Sequence, residues 1–468
     1  MLSMKTNTPK RWQSAVGGHQ SCHCLPSVCC LLLIAFCLLP TLLNAQSDST
    51  LTYEQAVSIA LRENIQIQQQ RNILNTTEAE RAQAYAQFLP SVGAFTNGQR
   101  QVGRAFDDNT SLIVDTISNF LNVGIDASLT VFNGFANINQ VKQARASAEA
   151  QFHQINATQQ EVVFNVSQQY LQVLLNQELL RIARANLEQQ EELLTSVEAF
   201  VEAGTQNIAD QYNQEAETKR VALTVVEAEN QLAIGKAQLI RTLQIDPFRN
   251  WTFTEPTSEQ LELLVSETDI ETLYNTAVRD RPDLLQQQKL IDVNRFGVKI
   301  ARAGLYPSLE VGYFYGSRYS SNQSQSLEAQ ITDVNATRSL SASLFIPIFQ
   351  RFQNRTLIQR SKQVLSNAEL TLEDLERNIL EQLQTAIADY RAAQQRIVAT
   401  DAQVKAAEKA LEAEKERFRL GVGNILDLNR VNAAYVEAQA SQVQANYTLV
   451  FQKTALDYYT GTLEPEQF

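Results

Sequence analysis

Val123-Gly124-Ile125-Asp126-Ala127-Ser128-Leu129-Thr130-Val131-Phe132-Asn133-Gly134 is the stretch on which the fold turns. Apolar residues at 123, 125, 127, 129 and 131 alternate with Gly, Asp, Ser and Thr. A period of two puts every apolar side chain on one face of a β-strand. The pattern stops at Phe132-Asn133-Gly134, and from there to Gly204 the chain holds neither Gly nor Pro. That second stretch is dominated by Ala, Gln, Glu, Leu, Arg and Val, which favour a single nearly continuous helix. At 1.5 Å per residue the helix would be about 100 Å long.

The same grammar recurs. Leu51 falls over Thr268 and Ile245 over Thr462, a constant shift of 217 residues (268 minus 51) without a gap. Glu54, Ala60, Leu61, Arg62 and Glu63 meet Glu271, Ala277, Val278, Arg279 and Asp280, and Pro90-Ser91 meets Pro307-Ser308. Further on, Phe132 meets Phe349, Asn137 meets Asn354, Gly204 meets Gly421, Ile208 meets Ile425 and Asp210 meets Asp427. A period this long is no solenoid element, so each copy is a substantial unit. The shift predicts a first repeat over 46–245, a linker over 246–267, a second repeat over 268–462 and a tail over 463–468.

Each long helix carries a seven-residue apolar column: Val173, Leu180, Leu187, Leu194 and Val201 in one copy, Tyr390, Ile397, Val404, Leu411 and Phe418 in the other. A sustained period of seven means left-handed coiled-coil packing. The interleaved positions are often Ala, Gln or Arg, which suits a bundle or helical barrel better than a two-stranded rod. After Gly204 and Gly421 a second helix runs to about Arg241 and Tyr458, so each copy holds a helical hairpin with a Gly-marked turn. A further helix of about 35 residues is expected before Pro90 and Pro307.

The second copy of the strand shows Leu340, Ala342, Leu344, Ile346 and Ile348 in the same phase. A companion strand precedes each, Ser91 to Gly98 and Ser308 to Gly316, and the polar segments Gln99–Leu121 and Ser317–Thr337 read as long solvent loops outside the cell. Strands of about ten residues with one apolar face suit a membrane-spanning barrel. Four strands cannot close one, since the smallest use about eight. Backbone groups in lipid must be satisfied, so closure asks for several chains, and three would give twelve strands.

The first residues and the composition narrow the setting. Lys5, Lys10 and Arg11, the apolar run Val28–Leu43 and Leu43-Asn44-Ala45 predict a signal peptide over 1–45. All five cysteines (22, 24, 29, 30 and 37) lie within it, so no disulfide framework or thiolate metal site is expected afterwards, and Phe36 before Cys37 argues against a lipid anchor. Without the leader 36 bases face 51 acids, a formal charge of −15, which disfavours nucleic acid. Only His153 remains of three histidines. No His or Cys cluster is left for a metal or a nucleophile and its base, so neither an enzyme nor a cofactor is expected. Trp251 and Phe253 are expected to pin the linker onto the helices.

These duplicated features resemble the TolC-type outer-membrane efflux proteins, over essentially everything after residue 50. The residues that carry the resemblance are Leu51-Thr52-Tyr53-Glu54-Gln55-Ala56, the Pro-Ser strand starts, Phe132-Asn133-Gly134 and Phe418-Arg419-Leu420-Gly421-Val422-Gly423-Asn424-Ile425-Leu426-Asp427. The resemblance implies a mixed fold: a homotrimer with a twelve-stranded barrel in the outer membrane, continued by a long periplasmic α-helical barrel. It also implies partners, namely a periplasmic adaptor and an inner-membrane pump of the resistance-nodulation-division, ATP-binding-cassette or major-facilitator type.

In the family, aspartates six and nine residues after the second turn glycine narrow the inner end. Here those positions hold Asp427 and Arg430, and the first-copy counterpart of Asp427 is Asp210. Asn207-(x2)-Asp210 and Asn424-(x2)-Asp427 also resemble helix-capping boxes, and the two roles are compatible. The resemblance further implies that the turns at Gly204-Thr205 and Gly421 to Gly423 receive the adaptor, with Gly423 standing where relatives carry arginine. Two other classes share part of the pattern: a secreted structural coiled coil lacks the phased strands, and a periplasmic adaptor has one hairpin rather than two.

Overall fold

A computed structural model describes residues 49–107, 110–254 and 269–463. The expected leader, most of the linker and most of the tail lie outside the described residues. The first copy runs β1 (Ser49–Leu51), α1 (Tyr53–Glu63), α2 (Ile65–Ala86), β2 (Ser91–Asp107), β3 (Leu112–Asn133), α3 (Ala136–Glu202) and α4 (Ile208–Leu243). After β4 (Trp251–Phe253) the second copy runs α5 (Ile270–Asp280), α6 (Pro282–Ala303), β5 (Ser308–Ser320), β6 (Thr337–Phe345), α7 (Gln353–Arg419) and α8 (Ile425–Thr460). Every helix of the first copy returns in the second, with both ends displaced by 217 residues, as 53 to 270 and 243 to 460 show.

The duplication extends to single bonds. Asn137 Nδ2 donates to Gln87 O at 3.4 Å, and its counterpart Asn354 Nδ2 donates to Gly304 O, the carbonyl equivalent to Gln87. These bonds tie the first turn of each long helix to the end of the preceding one. The strand-to-helix corners are built from paired rings, Phe132 on Phe135 and Phe349 on Phe352, both edge-on. At that corner Phe135 and Phe352 take left-handed backbone angles, φ 68° and 61°, a conformation side chains rarely adopt. Gly134, at φ 66°, lies where an added Cβ would sit 2.4 Å from Ala303 O.

The two long helices have 67 residues each, about 100 Å at 1.5 Å per residue. α3 packs on α2, α4, α6 and α8, and α7 packs on α8 and α6. The seven-residue columns face this packing: Val173, Leu180, Tyr390, Leu411 and Phe418 are buried, and the other five members are half-buried. The largest core gathers where α1, α3 and α4 meet β1 and β4, around Tyr170, Leu174, Leu239 and Leu243. There Phe253 stands edge-on to Tyr170, and β4 pairs in parallel with β1, so the start of the linker is pinned by backbone as well as by rings. Residues 255–268 are not described.

The four long strands form one open antiparallel sheet in the order β2-β3-β5-β6. Directly opposite residues share a side, and the registers put Val92, Ala127, Tyr313 and Leu340 on one side with Ala94, Ile125 and Tyr315. Ser91, Ser128, Gly312 and Ser341 lie on the other. The sheet corrects the loop expectation for Gln99–Leu121. The β2–β3 ladder continues through it to Asp107 opposite Leu112, because the period-two order of Val102, Phe106, Ile113 and Ile117 persists beneath a polar composition. Only the apex, residues 108–109, lies outside the described residues.

The second loop is shorter than expected, beginning after Ser320, and holds a helical segment over Leu327–Ala329 and Gln330–Val334. Beyond Gly316, β6 no longer covers the edge of β5. Gln330, fully buried, stands in for it: Ser320 N–H donates to Gln330 Oε1 at 2.8 Å and Gln330 Nε2 donates back to Ser320 O at 3.2 Å. Asn335 Nδ2 does likewise to Arg318 O at 2.6 Å. At its other end β6 stops at Phe345, short of the expected Ile346 and Ile348, because Pro347 offers no N–H to a ladder. No helix among the described residues is long and apolar enough to cross a membrane.

Candidate pore constriction and docking turns

Both helical hairpins close through the same glycine device. In the first, Gly204 (φ 73°) donates to Val201 O at 3.0 Å and Thr205 N–H donates to Phe200 O at 2.9 Å, with Thr205 Oγ1 on the same carbonyl. In the second, Gly421 (φ 74°) donates to Phe418 O and Val422 N–H to Arg417 O, both at 3.0 Å. This is the Schellman arrangement, in which a left-handed residue lets the chain satisfy two orphan carbonyls and turn away. A Cβ at either glycine would meet nothing within 4 Å, so backbone angle alone selects glycine there.

Gly423 is different. Its added Cβ would sit 3.0 Å from Phe418 N and from Glu414 Oε1, against the end of α7. Any side chain there would press on the end of α7, so this turn favours glycine by packing rather than by backbone angle. Glu414 itself is buried, with Oε2 taking a hydrogen bond from Arg417 at 2.9 Å and Oε1 without a partner among the described residues.

The aspartates diverge between copies. Asn424 caps α8 by accepting from Asp427 N–H at 2.7 Å, and its Nδ2 donates to Asp427 Oδ2 at 2.8 Å. Arg430, one turn on, brings its guanidinium to 3.6 Å from Asp427 Oδ1. With the two side chains 79 % and 44 % exposed, this pair contributes little to stability. Asn207 caps α4 through Ala209 N–H at 3.1 Å, and the contact to Asp210 N–H comes from the Asn207 carbonyl instead. The structure thus brings Asp427 and Arg430 together, while Asp210 stays on the other turn and joins no ion pair among the described residues. Around the turns Ile208, Leu420, Val422 and Leu426 are exposed apolar side chains.

Sequence reasoning missed what joins the two hairpins behind these turns. Val197, Leu411, Phe418, Ile425 and Leu428 form an apolar cluster across α3, α7 and α8. Above it run a polar chain and a separate pair: Gln214 Nε2 donates to Gln190 Oε1 at 2.6 Å and Asn429 Nδ2 donates to Gln214 Oε1 at 2.8 Å, while Asn432 Nδ2 donates to Asn186 Oδ1 at 2.8 Å. Gln190 and Gln214 are fully buried. Glutamines and asparagines scattered through helices this rich in them gave no sign of which ones would meet.

His153 is half-buried and edge-on to Phe152, and burial, aided by the nearby Lys289, lowers its pKa. No group of three His, Cys, Asp or Glu among the described residues could hold a metal ion.

An open sheet with one apolar side, delivered by two copies of a strand-and-helical-hairpin unit, defines the subunit of an outer-membrane channel. The chain belongs to the outer membrane efflux protein family, whose model matches it twice, over residues 56–243 and 273–462. It is similar to the outer membrane efflux protein BepC of Brucella suis biovar 1, 21 % identical over 93 % of this chain and 91 % of that one. It is also similar to the outer membrane protein TolC of Vibrio cholerae, 22 % identical over 75 % and 78 %. The crystal structure of the Campylobacter jejuni CmeC outer membrane channel superposes with a TM-score of 0.76, covering 89 % of this chain and 88 % of that one at 15 % identity. The protein is an outer-membrane efflux channel component with a long helical portion on the periplasmic side.

Proposed function

We propose that three copies of this chain close a twelve-stranded barrel across the outer membrane and continue below it as one helical tunnel. The observation that carries the reading is the open sheet. Its outer strands, β2 and β6, each present an unpaired edge, and β6 has every residue exposed, Leu340 and Leu344 included. Unpaired edges and an apolar side are untenable in lipid unless neighbouring copies complete the ring. The half-buried members of the helix columns, Leu187, Leu194, Val201, Ile397 and Val404, offer the matching surface for neighbouring helices.

In this assembly Asp427, Arg430 and Asp210 line the narrow inner end, and the turns at Gly204-Thr205 and Gly421 to Gly423 receive a periplasmic adaptor through their exposed apolar side chains. An inner-membrane pump, of the resistance-nodulation-division, ATP-binding-cassette or major-facilitator type, supplies the energy. The chain itself performs no catalysis and conducts passively.

The test has two readings. Native mass spectrometry of detergent-solubilised protein should give three chains per particle. An impermeant maleimide on intact cells should label Leu112→Cys and spare Gln206→Cys. A stable, conducting monomer, or labelling at residue 206 alone, overturns the assembly or its orientation.

A further inference from the structure

The β2–β3 hairpin outruns the rest of the sheet. β5 last pairs with it at Ser320 opposite Phe120, yet the two strands continue together to Asp107 opposite Leu112. About ten strand residues cross the apolar band of a bacterial outer membrane. Counted from Ser91, the tenth residue of β2 is Arg100, so the hairpin beyond it stands at and above the headgroup level.

The side chains there are not those of a solvated loop. On the same side as Ile125, Tyr313 and Leu340 come four successive rungs: Arg100 with Asn119, Val102 with Ile117, Arg104 with Asp115, and Phe106 with Ile113. The four apolar members are 72 %, 50 %, 58 % and 73 % exposed, for Val102, Ile117, Phe106 and Ile113 in turn. Arg104 Nε lies 3.5 Å from Asp115 Oδ1 with both side chains more than three-quarters exposed, a weak pair that leaves most guanidinium donors open. Lower on this side Arg338 lies over the Tyr315 ring. The side therefore carries rungs that alternate polar or charged with apolar, with more positive than negative charge, and continues the apolar side of the sheet without a change of register.

We propose that this ribbon seats phosphate-bearing lipid headgroups of the outer leaflet. Arg100 and Arg104 take the phosphate oxygens, and Val102, Phe106, Ile113 and Ile117 cover the apolar surface between them. Two observations select lipid over a soluble partner: the patch is continuous with the lipid-facing side, and its charge is complementary to an anionic headgroup. The inference rests on the barrel reading for which side meets lipid.

The test uses the full-length protein in a zwitterionic detergent, titrated with bisphosphorylated lipid A and with the same lipid stripped of phosphate, bound lipid being counted by native mass spectrometry. The wild type should prefer the phosphorylated lipid by about tenfold, in keeping with two arginines near an anionic surface. The preference should fall as salt is raised from 50 to 500 mM. Arg100→Gln with Arg104→Gln should abolish it, and Asp115→Asn, which frees Arg104, should enlarge it. An equal affinity for both lipids in the wild type, or a preference untouched by the paired glutamines or by salt, overturns the proposal. Single-channel conductance of the same preparations separates the two readings, since a wild type that conducts but ignores phosphate fails only this one.

Discussion

Replacing the two glycines of the second turn should have different consequences, because each is glycine for a different reason. Gly421 has open space around its missing Cβ but a φ of 74°, so Gly421→Ala incurs only the left-handed penalty, about 1 kcal/mol. Gly421→Asn should recover most of it, since Asn tolerates this conformation. Gly423 has no such angle, but a Cβ there would press at 3.0 Å on Phe418 N, a backbone atom of α7 that cannot swing aside. Overpacking of this kind costs about 1–3 kcal/mol, and Asn should be no better than Ala. The turn amides report it: Val422 N–H, bonded to Arg417 O, exchanges with solvent through local opening. A loss of 1 kcal/mol speeds exchange about fivefold and 2 kcal/mol about thirtyfold. Hydrogen exchange with mass spectrometry on the peptide spanning 417–428 should therefore rank Gly421→Asn below Gly421→Ala, and both Gly423 variants alike. Equal acceleration by Ala and Asn at Gly421, with none at Gly423, would falsify both assignments.

In the proposed trimer, Arg430→Asp replaces three positive charges at the aperture by three negative ones and should strengthen cation preference, while Asp427→Asn should weaken it. Reversal potentials across a salt gradient read both, and an unmoved potential in a trimeric variant places the constriction elsewhere. Gln214→Leu leaves the buried Gln190 and the half-buried Asn429 without their shared partner and should destabilise the helical portion by about 1–3 kcal/mol, read as a lower melting temperature by circular dichroism. Tyr170→Phe removes the hydroxyl that bridges toward Leu51 O and Thr254 O, at 2.8 and 2.7 Å, and should cost about 1 kcal/mol. Burial pushes the Tyr170 phenol from 10.0 up to about 12, so its contribution is intact below pH 10 and lost as pH rises through about 12. Wild type should lose stability more steeply than Tyr170→Phe between those values.

The frame was legible because its signals are long. Two glycine-free stretches fixed both 67-residue helices, and one constant shift carried every helix from copy to copy. What escaped was short or conditional. The β2–β3 ladder hid behind Arg, Gln, Asp and Asn, which a backbone ladder accepts as readily as apolar residues when one side meets solvent. Gln330 acts as a strand edge through its side-chain amide, a role that no pattern of one residue can announce. At the turns the sequence named Asp427 and Arg430 as neighbours, one helical turn apart, but the Gln190-Gln214-Asn429 chain depends on how three helices dock, and that is a tertiary fact.

The two hairpin turns differ at the positions where function is proposed, and the differences share a direction. The counterpart of Gly423 is Gln206, and that of Arg430 is Asn213. In the first turn Asp210 is left out of the Asn207 side-chain cap, whereas in the second Asp427 is held by Asn424 and approached by Arg430. Gly423 lets the second turn settle onto α7 beside the buried Glu414. A trimer of duplicated chains would set six near-equivalent turns around one axis, and six equal turns would form a ring with no element distinguishable from its neighbours. In the proposed trimer, the difference between the turns would make that ring three turns that carry an Asp427–Arg430 pair and pack on α7, alternating with three that carry Asp210 alone. The first set would hold its carboxylates in place through Asn424, as shaping a field on the axis requires. The second would leave Asp210 outside the side-chain cap, and exposed apolar residues for contact with a partner stand on both sets, Ile208 on one and Leu420, Val422 and Leu426 on the other. In that proposal the duplication supplies the scaffold, and a few changed residues at one turn per chain set how firmly each ring of carboxylates is held, while both turns keep a docking surface.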